Sequence, residues 1–143
     1  MLKSKDSVIC DDLGVEWGDF IAIHQNEISF YHCKHNENAR SASNLEEVFG
    51  QAQKNLGYLE LNDENVEYRR NRWSRAYRLN NINTKIRRIR RCKNPSKPIP
   101  SIKESIRKAS ASGNLKRSVF VVINFLSKSE LSQSLYRLKN GEK

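Results

Sequence analysis

Two apolar runs, at residues 19–23 and 28–34, flank the polar stretch His24-Gln25-Asn26-Glu27. Both have the β-branched, alternating character of strands, and the gap between them is the length of a hairpin loop. No other local signal constrains the fold as much. A symmetric loop of two residues or of four gives one register: Ile23 faces Ile28, Ile21 faces Phe30 and Asp19 faces His32. Side chains alternate between faces, so Asp19, His32 and Lys34 share the face of Ile21, Ile23, Ile28 and Phe30. Opposed residues bring their Cβ atoms to about 4.5–5.5 Å, near enough for a carboxylate and an imidazole to hold one cation. Lys34 follows His32 at about 7 Å along the strand. An acid, an imidazole and an amine at the end of an apolar face are costly to bury without a partner. These three are therefore candidate functional residues; the competing reading is a hairpin end left in solvent.

Charge is divided sharply along the chain. Of 143 residues, enough for one domain, the first 68 hold 13 acidic and 5 basic residues, net −8, and the remaining 75 hold 3 acidic and 21 basic, net +18. The acidic part suits cations and the basic part a polyanion. Two arginine groups stand out as phosphate grips: Arg69, Arg70, Arg72, Arg75 and Arg78, then Arg87, Arg88, Arg90 and Arg91. Trp73 and Tyr77, four apart among them, either stack on unpaired bases or face a helix's own core with Val66 or Tyr68. The longest apolar stretch, 119–126, is too short to span a bilayer. The first twelve residues lack the apolar centre of an export signal. Cys10, Cys33 and Cys92 are odd in number, far apart and without a CxxC pair, which argues against a disulfide framework or zinc ribbon and for a reducing cytoplasm.

Period and punctuation give an order βββ-α-α-β-α. Residues 8–10 form a short strand ending at a turn-like Asp11-Asp12-Leu13-Gly14. A helix begins at Asn44 with Glu47 three residues on, and Leu45, Val48, Phe49, Ala52, Leu56 and Leu59 form its apolar stripe. A second helix is expected over 65–79, with 84–91 continuing as helix. Pro95, Pro98 and Pro100 mark 93–101 as linker. Residues 119–125 read as a buried strand, and Ser127 with Glu130 opens a last helix to about Leu138. In regions, this is a single domain over 1–143. It comprises an acidic βββα core over 1–61, an Arg-rich helical region over 62–93, a Pro- and Ser-containing linker over 94–118, and a terminal strand and helix over 119–139. His32, Cys33 and His35 do not make a zinc site, because alternation sets His32 on the face opposite Cys33 and His35. Cys33 is expected on the sheet's other face, beside Ala22 and Tyr31.

An aspartate in one strand, a residue-x-Lys triplet at the end of the next and then a helix make up a recognisable layout. With Asp19, His32-Cys33-Lys34 and the following helix, this chain resembles the PD-(D/E)xK nucleases. His32 stands where that family usually has an acid. Gln51 and Gln53 with Tyr58 resemble the Gln…Tyr helix motif of RecB-like members, although at another spacing. The segment 8–59, with the terminal strand and 126–131, is similar to nuclease-like segments attached to superfamily II DEAD/DEAH-type helicases. The resemblance covers about two thirds of the chain and excludes the Arg-rich middle. It implies a restriction-endonuclease-like α/β core: a central mixed sheet, antiparallel meander first, then a helix and a later strand, flanked by helices. It also implies Mg2+- or Mn2+-dependent hydrolysis of DNA phosphodiester bonds. Asp19 and His32 would hold the metal, Lys34 would stabilise the transition state and Gln51 would position the nucleophile. The family's N-terminal helix, a frequent source of another acid, has only seven residues in which to precede Val8; Asp11, Asp12 and Glu16 are candidate substitutes. No Walker-type phosphate loop is present, so a helicase motor would be a partner or another part of a larger enzyme. The second expectation, given His32, is a nuclease-like module that has lost catalysis and binds nucleic acid or docks a helicase.

Overall fold

The computed structural model describes residues 6–141 apart from 13, 15, 38–41 and 80. In chain order the elements are β1 (Ser7–Cys10), β2 (Phe20–His24), β3 (Glu27–Lys34), α1 (Ala42–Asn55), α2 (Asp63–Trp73), β4 (Ala76–Leu79), β5 (Ile82–Arg87), β6 (Ile89–Arg91), α3 (Pro98–Ser110), β7 (Lys116–Ile123) and α4 (Lys128–Lys139). They form an α/β fold with a mixed five-stranded sheet, ordered β6-β1-β2-β3-β7 and flanked by helices, beside a separate β4-β5 hairpin. Among the described residues no helix is long and apolar enough to cross a membrane.

The β2-β3 hairpin has the register that alternation dictates, with Ile23 opposite Ile28 and Ile21 opposite Phe30. Gln25 takes a left-handed φ of 49° in the turn, which lets the twisted strands reverse over two residues. Strand β1 adds antiparallel to β2, and β7 adds parallel to β3. One face of this sheet carries Ile9, Ile21, Ile23, Ile28 and Phe30, which pack with Trp73 and Val66 of α2 and with Ile99, Ile102 and Ile106 of α3. The other carries Val8, Ala22 and Tyr31, against which Phe20, Cys33 and Phe120 pack. Cys33 therefore lies where alternation puts it.

Five expectations are corrected. The helix over 65–79 ends at Trp73, and within 84–91 the chain is strand up to Arg87 and again from Ile89 rather than helix. Ile82, Thr84 and Ile86 alternate as in a strand, and Asn81 at φ 67° makes the turn before them. The linker over 94–118 holds α3. Its prolines begin the helix, where a missing N–H costs nothing, and Ile99, Ile102, Ile106 and Ala109 bury one stripe. Strand β7 lies at the sheet edge and is half-buried, with Val122 exposed. On α1, Val48 and Ala52 are buried as expected, but Phe49 and Leu56 are exposed. The last helix does start at Ser127, whose Oγ accepts from the Glu130 N–H while Glu130 accepts from the Ser127 N–H.

A buried polar hub joins β1 to α2. Asp11 Oδ1 accepts from Arg69 at 3.0 Å and from Trp73 Nε1 at 2.7 Å, and its Oδ2 accepts from the Trp17 N–H at 3.0 Å. The Arg69 guanidinium lies 4.0 Å from the Trp17 ring centre, and the two indoles meet edge to face at 6.2 Å. Arg69 is thus 3 % exposed and serves the core, which removes it from the expected phosphate-binding set. Its truncation leaves Asp11 buried without its counter-charge. Arg69→Ala is expected to lower the unfolding free energy by about 3–5 kcal/mol in urea titration; a change within about 0.5 kcal/mol would mean that the hub does not hold the fold.

Candidate functional site

Two surfaces carry the chemistry-bearing residues. The first is the end of the β2-β3 hairpin. Asp19, one residue before β2, accepts the Cys33 N–H on Oδ2 at 2.6 Å. Burial pushes its carboxyl up from the ordinary range. The Cys33 N–H opposes this, the Asp12 and Glu16 carboxylates add to it, and His32 opposes it. His32 is 1 % exposed, and burial pushes its imidazole below the usual histidine range against the pull of Asp19 and Glu16. Asp19, Glu16 and His32 therefore share one electrostatic neighbourhood, as the hairpin register requires of the first and last. Within it, His32 Nε2 and Glu16 Oε2 are buried without a hydrogen-bond partner among the described residues.

The other expected residues are placed differently. Lys34 is on the same strand but its Nζ pairs with Glu47 of α1 at 2.7 Å. Gln51, one turn further along α1, lines a cavity of about 330 Å3 with Glu16, Trp17, Lys54, Asn55 and Arg69. Glu16 is thus the acid that faces Gln51. The side chain of Tyr58, the other half of the Gln…Tyr motif, lies outside the described residues, as does Leu13 of the first turn.

Among the described residues no three His, Cys, Asp or Glu side chains converge to hold a metal ion. Mg2+ asks for several oxygen ligands in near-octahedral array. Here one oxygen of Asp19 accepts a backbone N–H, and the groups around it are the His32 imidazole and the Asp12 and Glu16 carboxylates.

The second surface is built by the β4-β5 hairpin, β6 and the loop into α3. Together they enclose a groove of about 890 Å3, walled by Ile86, Ile89 and Pro98 and charged by Lys85, Arg87, Arg90 and Arg91, with no acidic residue on its lining. Arg72, Arg75 and Arg78 are also exposed, and Arg70 is exposed but pairs with Glu67 at 3.1 Å. Arg88 departs from the expected set, as Arg69 does. It is buried, donates to the Asp12 carbonyl at 2.7 Å and lies 5.1 Å from the Tyr77 ring centre. Trp73 is core, and Tyr77 donates its hydroxyl to Asp12 Oδ2 at 3.0 Å. Lys85 is the groove residue that charge counting missed; the alternation of 82–87 is the signal that places it.

Comparison of the chain with models of protein families, with curated protein sequences and with solved structures finds no match.

The buried imidazole gives a pH test. His32 stays neutral in the folded chain to a lower pH than in the unfolded one, so between those two values the unfolded state binds more protons. The stability it contributes is present above the unfolded pKa near 6.5 and is lost as pH falls through the lowered folded value. Asp19, shifted up, acts in the opposite sense at lower pH, and Glu16 faces the same group. Asp11, raised to about 6, also acts in the opposite sense within this window and is common to both chains. The readout is therefore the difference: from pH 7.5 to pH 5.5 the denaturation midpoint is expected to fall more in the parent chain than in His32→Leu; equal slopes would remove His32 as the cause.

Proposed function

We propose that the chain binds nucleic acid through the cationic groove and that this binding, rather than hydrolysis, is its activity. The observation that carries the reading is the groove lining: Lys85, Arg87, Arg90 and Arg91 around apolar walls, with no carboxylate to compete. Four cations facing one channel attract phosphates and release their counterions, and the apolar walls tolerate sugar and base faces. The state of the hairpin end supports binding over chemistry. The lysine that a nuclease would aim at the scissile phosphate is held by Glu47, the aspartate is held by a backbone N–H, and the third position is a desolvated imidazole. This is the degenerate form of the nuclease-like reading. It keeps nucleic acid as partner and derives no step through a metal.

The test is salt dependence of binding to a labelled single strand, with groove variants. Four phosphate contacts give a slope of log affinity against log salt of about −3 for single strands. Arg87→Ala with Arg91→Ala is expected to shallow that slope by about 1.4 and to weaken binding at least about tenfold at 0.1 M salt. Unchanged affinity and slope in that double variant would overturn the groove as the binding surface.

A further inference from the structure

A second cavity, of about 560 Å3, shares two lining residues with the groove, Ile86 and Arg90. The remaining walls of this cavity are the aromatic Phe20 and Tyr77, the thiols Cys10 and Cys33, and the carboxylates Asp12 and Asp19. Two acids in a cavity that shares Arg90 with a cationic groove are the opposite of what a phosphate wants. Each has one oxygen engaged: Asp19 Oδ2 takes the Cys33 N–H, and Asp12 Oδ2 takes the Tyr77 hydroxyl. Among the described residues, Oδ1 of each accepts no hydrogen bond. The two carboxylates repel one another, and Asp12 is the strongest like charge acting on Asp19.

A ligand for this cavity must bring hydrogen-bond donors, since ionised carboxylates only accept. It must be flat enough to lie against Phe20 and Tyr77, and it must be joined to something the cationic groove holds. A metal ion meets the charge requirement, but no three ligating side chains converge among the described residues. A nucleobase on a strand lying in the groove meets all three requirements. The bases differ in what they offer. Guanine presents two adjacent donors, N1–H and the N2 amino group, on one edge. Thymine and uracil present a single N–H between two carbonyl oxygens, which face carboxylates unfavourably.

We propose that this cavity receives one unpaired guanine base, its N1–H and N2–H groups donated to the free carboxylate oxygens of Asp12 and Asp19, its ring against Phe20 and Tyr77, and its phosphate on Arg90. This rests on the groove reading and gives it a base preference.

The experiment is fluorescence anisotropy at fixed salt with three labelled ten-nucleotide strands: all thymine, the same with one central guanine, and the same with hypoxanthine at that place. Hypoxanthine keeps N1–H and lacks the 2-amino group. The guanine strand is expected to bind at least about fivefold tighter than the all-thymine strand, with hypoxanthine between them. Asp12→Asn and Asp19→Asn are each expected to reduce the guanine-to-thymine ratio. The ratio is the readout because a uniform change in affinity, from removing a negative charge near the groove, leaves it unmoved. Equal binding of all three strands by the parent protein, with salt sensitivity retained, overturns the base pocket and spares the groove. A guanine preference that survives in both variants overturns the assignment to these carboxylates. Absence of salt-sensitive binding to any strand overturns the groove reading, and the pocket with it. The hypoxanthine comparison needs no variant, so it stands even where an Asn substitution unfolds the chain.

Discussion

The docking of α2, and with it the place of the cationic hairpin, depends on one buried carboxylate. Asp11, fully excluded from solvent, sits directly after β1, and α2 is attached to it by Arg69 and Trp73. An isolated charge at that depth is strongly unfavourable. Burial pushes the carboxyl up to about 6, and Arg69, the Trp73 indole and the Trp17 N–H oppose it. Three donors on two oxygens, with the guanidinium lying over Trp17, are what make the charge tolerable. Such a hub adds little net stability over an apolar replacement. What it adds is direction, because Asp11, Arg69 and Trp73 meet their partners in only one docking of α2. Since α2 ends at Trp73 and the β4-β5 hairpin begins three residues later, the hub also fixes where the cationic hairpin leaves the sheet.

The arginines divide by what their neighbours leave for them. Arg69 and Arg88 fall on inward-facing positions and are consumed by Asp11 and by the Asp12 carbonyl. Arg70 is held by Glu67 in its own helix, a pair of small energetic weight at this exposure. Arg87, Arg90 and Arg91 are left for a ligand. The positive end of the chain is therefore less available than its formal charge implies, although Arg72, Arg75 and Arg78 are also exposed outside the groove. Asp63 and Glu67 neutralise a different side, where they bridge α2 to Arg107 and Lys103 of α3. The acids of α2 are thereby spent between helices and stay out of the groove.

The hairpin was legible because its information is local. Alternation and a two-residue turn determine β2 and β3, and with them the pairing of Asp19 toward His32. The capping residues Ser127 and Glu130 are local too. What was not legible lies in signals that mean different things in different surroundings. Pro98 and Pro100 read as a break, yet the same residues start α3, whose stripe of Ile99, Ile102 and Ile106 is clear once the prolines are taken as a beginning. Ile82-Asn83-Thr84-Lys85-Ile86-Arg87 carries strand alternation hidden under its charge. Burial of Arg69 and Arg88 was beyond reach, because it depends on Asp11 and Asp12, some 58 and 76 residues earlier in the chain. So did the arrest of Lys34 by Glu47, which needs α1 docked on β3.

That arrest bears on how the two surfaces relate. At the hairpin end, each group suited to chemistry has been given an internal partner or shut from water, and the charges that remain there are acids. Asp12 and Asp19 line the cavity that shares Arg90 with the groove. Two carboxylates lining one cavity repel phosphate from it. The sign of charge thus changes across a single side chain. A ligand that spans that boundary must be anionic on one side and rich in donors on the other, which is the constitution of a nucleotide. A polyanion without bases, such as heparin or polyphosphate, satisfies only the first half and is confined by the acids to the groove.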